Sequence, residues 1–475
     1  MSLKREACLI NGEWITSDRW MEIDDPATGA IIGRVPDLGS EAARQAIAAA
    51  VAAQGAWAAR TAQERARLLQ RFYQLILDHQ DELAHILTEE QGKPIAEALA
   101  EIVYAASFVE WFAEEGKRVY GDIIPTHAAD KRLLVMKQPV GVVAAITPWN
   151  FPAAMVTRKI APALAAGCAV VVKPAPQTPF TALALGALGL EAGLAPGLLN
   201  VVTGDAGAIG AELTGNFRIR KISFTGSTPV GVKLFAQSAP TIKKLSLELG
   251  GNAPFIIFDD ADVDAAVQGA LQSKYRNAGQ TCVCPNRFYA QDGVYEEFVG
   301  RLAAASAALK VGHGLTTDVQ VGPLIDEMAI AKVERHVADA LAKGATLLTG
   351  GARHPLGARF YQPTVLGDIT PSMIITQEET FGPVAAVSRF CDDVDAVRLA
   401  NATESGLAAY FYARDVGRIW RVAEEIEAGM IGINTGLIST EVAPFGGIKS
   451  SGLGREGSRY GIEDYLQTKY LCLGL

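Results

Sequence analysis

At 475 residues the chain exceeds the size at which a single hydrophobic core stops growing, so two or more domains are expected. Apolar residues make up 49% and charged residues 20%, and a formal charge of −9 without any long block of Lys or Arg argues against nucleic acid as a partner. The opening MSLKREACLINGEW places charges where a signal peptide needs its apolar core, and no run reaches the length of a membrane span, so a cytoplasmic protein without membrane attachment is expected. From about Ser40 to Val119 the sequence is Ala-rich and predicted helical. Leu68, Leu69, Phe72, Leu75 and Ile76 mark one face, and Thr61 followed by Glu64 has capping-box spacing. These helices read as scaffold. Tyr120 to Gln138 alternates and carries Pro125, an excursion of extended chain. Short apolar strands then alternate with helical segments: Gly141 to Ile146, Ala169 to Val172, Asn200 to Thr203, Lys221 to Phe224 and Pro254 to Phe258. This pattern predicts a parallel sheet covered on both faces, with ligands at the C-terminal strand ends. A second alternating region from about Ala261 to about Gly429 predicts a second α/β domain, and Tyr465 to Leu475 a terminal strand.

The chemistry concentrates between Leu245 and Arg287. That stretch opens LSLELGGNAPF, with Glu248 entering a double glycine, and ends SKYRNAGQTCVCPNR, with Cys282 in a polar turn. A general base and a thiol nucleophile together serve covalent acyl chemistry. Either alone has a plainer reading, the cysteine as a small buried hydrophobe and the glutamate as part of a turn. The six cysteines (Cys8, Cys168, Cys282, Cys284, Cys391, Cys472) are mostly scattered, as in a reducing compartment, and the isolated histidines show no metal-ligand spacing. Phe224 to Gly231 follows a strand and precedes a helical segment, the context for pyrophosphate at a helix N-terminus, although GxGxxG is absent.

ELGG and GQTC, in order with PWNFP, VVKPAPQTP, FTGSTPVG, EETFGPV and APFGGIKSSGLGREG, resemble the signatures of the NAD(P)-dependent aldehyde dehydrogenase superfamily along nearly the whole chain. The resemblance implies an α/β aldehyde dehydrogenase fold with a Rossmann-like cofactor domain (1–119 and 139–249), an α/β catalytic domain (250–430) and a small β oligomerisation element (120–138 and 463–475). Residues 431–462 would return to line the active site, and the chain would form a homodimer or homotetramer. By the same resemblance Cys282 is the nucleophile, Glu248 activates the hydrolytic water, Asn150 and the N–H of Cys282 hold the oxyanion, and Lys159 and Glu456 relay protons. The cofactor would lie against Thr147, Pro148, Trp149, Lys173, Ala175, Pro176, Gly226, Ser227, Gly231, Leu249, Glu379 and Phe381. Lys173 with Pro176, where NAD-dependent relatives often carry Glu, implies NADP in preference to NAD. An acid at that position would repel the extra phosphate.

Arg presents a planar fork that fits a carboxylate, and Arg158 and Arg276 both lie close in sequence to the chemistry. SKYRNAGQTCVCPN and GLISTEVAPFGG resemble the succinate-semialdehyde dehydrogenase branch, which assigns Arg158, Arg276 and Ser439 to the substrate carboxylate and suggests Cys284 as a redox partner of Cys282. The plainer readings are structural ion pairs for the arginines and packing for Cys284. Glutarate semialdehyde is a close rival substrate, since one methylene discriminates by only about 1–3 kcal/mol. An uncharged aldehyde such as betaine aldehyde, a silent structural relative and a cysteine hydrolase without a redox step are the other readings.

Overall fold

The computed structural model describes residues 2–357 and 359–475. Its first sheet has eight strands, and the parallel core is formed by Leu199–Val201, Val170–Lys173, Val142–Ile146, Ile219–Thr225 and Lys244–Glu248, in that spatial order. Numbered along the chain from Val142, these strands run 3-2-1-4-5, the dinucleotide-binding order. The order reverses between Val142–Ile146 and Ile219–Thr225, and a ligand crevice belongs outside the C-terminal ends of that pair. Val142 to Ala145 and Val170 to Lys173 are buried throughout, which explains why their sequences are apolar without alternation.

Two differences from the sequence reading concern this sheet. Pro254 to Phe258 does not extend it: Ala253–Ile257 is a central strand of a second, seven-stranded sheet, between Pro285–Gln291 and Ala408–Tyr412. The first sheet instead gains Cys8–Ile10 and Glu13–Ile15 at one edge and Gly452–Leu453 at the other. These strands have two or three residues, too few to produce a readable period.

Helices Ser40–Ala58, Ala62–Asp78, Gln80–Gln91 and Ile95–Glu115 occupy the Ala-rich region. The second begins with the capping box: Thr61 Oγ1 accepts from Glu64 N at 3.3 Å, and Glu64 Oε2 accepts from Thr61 N at 2.8 Å. Its Leu69, Phe72 and Ile76 are buried in the core of the first sheet. A third sheet pairs Leu466–Gly474 with Lys131–Pro139, and Lys131–Pro139 with Asp122–Ile124. No helix among the described residues is long and apolar enough to cross a membrane.

Candidate active site

Cys282 lies in the turn between helix Val263–Lys274 and strand Pro285–Gln291. The chain reaches it through Asn277 and Ala278, both in the left-handed region (φ 51° and 53°). Such a conformation costs a residue with a Cβ about 1–3 kcal/mol, so the surroundings must hold it. They do so with buried amides. Asn277 Nδ2 donates to Asn150 O at 2.9 Å, and Gln91 Nε2 donates to Asn277 Oδ1 at 2.9 Å. The N–H of Cys284 closes the turn on Thr281 O at 2.9 Å. Cys282 is half-buried on the cavity wall, whereas Cys284 is buried with its Sγ 3.5 Å from Lys274 O. Gly251 makes the approach of the two catalytic segments feasible, because a Cβ there would sit 2.3 Å from Cys282 O.

Glu248 ends strand Lys244–Glu248, beside Thr225 in register. It is 2% exposed, and neither carboxylate oxygen has a hydrogen-bond partner among the described residues. Burial, followed by the charge of Glu456, pushes its carboxyl well above the usual carboxylate range, against the pull of Arg158 and Lys159. Burial also pushes the Cys282 thiol up to about 12; Arg158 lowers it, and Glu379 and Glu248 add to the rise. The thiol is therefore protonated near neutral pH and needs a base to become a nucleophile. Asn150 Nδ2 donates to Gln280 O at 3.0 Å, which uses one of its two amide hydrogens. The N–H of Cys282 faces the thiol and has no other acceptor among the described residues. Two donors are thus available for a negative oxygen formed at carbon bound to Cys282.

These groups open on one cavity of about 440 Å³. Pro148, Trp149, Gly226, Ser227, Leu249, Glu379 and Phe381 line it, with Trp149 and Phe381 edge-to-face at 5.5 Å. Glu379 Oε1 accepts from Gly251 N at 3.1 Å, and burial lifts its carboxyl to about 7. Thr147 lies at the reversal point of the strand order with its hydroxyl buried and unpartnered. Lys173 ends the next strand, followed by Ala175 and Pro176. It is not a solvated cap: it is 4% exposed, and its Nζ donates to Pro174 O at 3.0 Å with no acid in ion-pair range among the described residues. Burial lowers its pKa to about 8, with Asp205 opposing. Gly231 stands behind Leu249 of the cavity wall. A Cβ there would sit 2.4 Å from Leu249 Cδ2, so the glycine lets helix Thr228–Ser238 approach that wall closely.

Arg158 corrects the sequence reading in part. It is not a free fork: Nε and Nη2 donate to Glu456 Oε2 at 2.8 and 2.5 Å, and the guanidinium lies 4.0 Å over the Phe445 ring. Lys159 binds the other oxygen of Glu456 and donates to Thr225 Oγ1 at 2.6 Å. Burial alone would raise Glu456, but Lys159 and Arg158 outweigh it and hold the carboxyl well below its usual range. Lys159 and Glu456 are therefore not a surface pair but the buried core of an ionised cluster. Arg276, by contrast, is half-buried over the Phe151 ring at 4.8 Å and has no hydrogen-bond or ion-pair partner among the described residues. Ser439 is half-buried in the loop between strand Met430–Ile433 and Phe445.

The sequence pattern of the Aldehyde dehydrogenase family matches residues 14–471. The chain belongs to that family. It is 61% identical over 476 residues to an NADP(+) succinate-semialdehyde dehydrogenase of Escherichia coli strain K12, covering 100% of this chain and 99% of the relative. It is 60% identical over 474 residues to a glutarate-semialdehyde dehydrogenase of Pseudomonas aeruginosa, covering 99% and 98%. The crystal structure of succinate-semialdehyde dehydrogenase from Burkholderia pseudomallei superposes with a TM-score of 0.99 at 61% identity, over 100% of this chain and 99% of that one.

Sequence reasoning missed several residues of this aldehyde dehydrogenase. Lys93, 1% exposed, pairs with Glu101 at 2.5 Å and donates to Asn150 O at 2.8 Å. The other oxygen of Glu101 accepts from Ala153 N and Ala154 N at 2.9 and 3.3 Å, the first amides of helix Ala154–Ala166, which carries Arg158 and Lys159. Lys332 also lines the cavity and pulls against the burial that lifts the Glu379 carboxyl. A signal for Glu101 was present: a carboxylate on the apolar face of a helix needs a partner.

Proposed function

We propose that the enzyme oxidises succinate semialdehyde, or the homologous glutarate semialdehyde, to the dicarboxylate with NADP in preference to NAD. The observation that carries the substrate reading is Arg276, a partly desolvated guanidinium six residues before Cys282 with no hydrogen-bond or ion-pair partner among the described residues. It is a natural receptor for a carboxylate remote from the aldehyde. The names of the two relatives above support it, and their near-equal identity keeps both chain lengths open. The residues present fit the cofactor: Lys173 is a buried cation lacking an acid partner, suited to a phosphate or ribose hydroxyls, and Thr147 adds an unpartnered hydroxyl at the reversal of strand order.

When bound, the cofactor accepts the hydride that leaves the aldehyde carbon. The protein does the rest. The Cys282 proton passes to solvent water, and the resulting thiolate adds to the carbonyl carbon. The carbonyl oxygen gains the electron pair, and Asn150 Nδ2 and the Cys282 N–H receive it. Collapse of that oxyanion expels the hydride and leaves a thioester on Cys282. Glu248, unpartnered and raised in basicity, takes a proton from water as its oxygen attacks the thioester carbon. The carbon–sulfur bond then breaks, which releases the acid and restores the sulfur. The three-stranded sheet, with Ile123 and Leu473 exposed, supplies a surface for pairing subunits into a homodimer or homotetramer. The test is an assay of succinate semialdehyde, glutarate semialdehyde and propanal with each cofactor, followed by reduced-nicotinamide absorbance. Equal kcat/KM for propanal and the semialdehydes would refute the substrate reading.

A further inference from the structure

Helix Ile95–Glu115, which reads as scaffold, packs one face against the segments that carry Arg158 and Arg276. Glu97, Glu101, Tyr104, Phe108 and Trp111 recur at intervals of four and three, so they share that face. Glu97 Oε2 accepts from Asn277 N at 2.8 Å, immediately after Arg276, and Glu101 caps the helix that carries Arg158. Phe108 lies beneath the Arg158 guanidinium at 5.8 Å and meets the Tyr104 ring edge-on at 4.9 Å. Between these contacts sits the Tyr104 hydroxyl. It is buried, its proton has no acceptor among the described residues, Arg158 is close enough to donate to its oxygen, and Arg276 acts on it electrostatically.

A buried hydroxyl whose proton has no acceptor is an exception among polar groups and calls for a specific cause. Neither arginine can supply an acceptor, since a guanidinium only donates. What joins all three is an anion. Arg158 retains Nη1 after Nε and Nη2 are taken by Glu456, and Arg276 retains its whole fork. A carboxylate has about four lone-pair sites, enough to accept from both arginines and from one hydroxyl at once.

We infer that the Tyr104 hydroxyl donates to the substrate's remote carboxylate, completing with Arg158 and Arg276 a three-sided receptor, and that it is a specificity-determining residue of this enzyme. The inference rests on the acidic-aldehyde reading above. Tyr104→Phe removes one oxygen and no packing, so the variant should melt as the parent does. We expect its KM for succinate semialdehyde to rise about tenfold or more, as for loss of a charge-assisted hydrogen bond, with kcat for that substrate little changed. Its kcat/KM for propanal and its rate of Cys282 alkylation by iodoacetamide should match the parent. Inhibition by succinate, which needs no turnover, should weaken by the same factor. If the parent prefers succinate semialdehyde to propanal and Arg276→Ala removes that preference, but Tyr104→Phe alters both aldehydes equally or neither, the role of Tyr104 is overturned while the substrate reading stands. If the parent shows no such preference, the substrate reading fails and the inference fails with it.

Discussion

Glu248 and Glu456 are both buried within electrostatic reach of each other, yet their surroundings drive them apart. Glu456 is met by Arg158, Lys159 and Ser223 and is held ionised, whereas Glu248 has no partner on either oxygen among the described residues and is held toward the neutral form. The arginines repeat the contrast: Arg158 is largely spent on Glu456, and Arg276 is unspent. In this site the paired groups build the frame and the unpaired ones are left to meet substrate and water. Residue type did not separate them; partners did. Environments that push two like groups in opposite directions also separate their chemical roles.

The sharpest way to break this division is Glu248→Gln. It should lower steady-state kcat by about 10²–10⁴-fold, the usual contribution of a general base, while leaving a burst of reduced cofactor and an unchanged melting temperature. Stopped-flow absorbance reads the burst, and its absence would place Glu248 before hydride transfer. Glu456→Gln should do the reverse. Removing one member of a buried ion cluster costs about 3–5 kcal/mol, so denaturation should shift markedly. The stability that Glu456 contributes is present above the ordinary carboxylate range and is lost as pH falls toward its depressed value. An unchanged denaturation midpoint would show that the cluster is not a frame.

Arg276→Ala should leave stability intact and raise KM for succinate semialdehyde by about tenfold to a hundredfold, with propanal unaffected. An equal effect on both aldehydes would make Arg276 structural. A smaller effect is expected from pH. Lys173 is charged below about 8 and loses its proton as pH rises through that value, so KM for NADP should climb above pH 8 more steeply than KM for NAD. Parallel profiles would remove Lys173 from phosphate recognition. The smallest effect concerns Cys284, one turn from the nucleophile. Cys284→Ala should remain active but lose the recovery that dithiothreitol gives the parent after mild peroxide. Full recovery in the variant would leave Cys284 as packing.

The sequence disclosed the groups whose function depends on local context. Glu248 before a double glycine and Cys282 in GQTC are legible because the turn residues that present them are their neighbours in the chain. That Arg158 shares its guanidinium with Glu456 was not legible, because Glu456 is 298 positions away. Tyr104 and Glu101 were overlooked because Ala-rich helices suggest packing, and only the fold shows which side of helix Ile95–Glu115 faces the chemistry. The apolar pattern alone put Pro254 to Phe258 in the wrong sheet for a similar reason, although the resemblance begins the catalytic domain at 250. An apolar strand buried on both faces looks the same in either sheet, and the boundary lies in Gly250-Gly251, which the chain uses to bring two segments into contact.

That contact has a consequence for engineering. Glu248 ends a strand of the first sheet, Cys282 precedes a strand of the second, and Gly251 meets the carbonyl of Cys282 with no room for a side chain. A chimaera that takes its nucleotide-gripping half from another relative therefore imports a foreign base to serve the resident thiol. Cofactor preference can be exchanged this way only if the graft preserves the depth of that single glycine contact, so a productive crossover lies beyond Cys282 rather than at the natural-looking seam between the sheets.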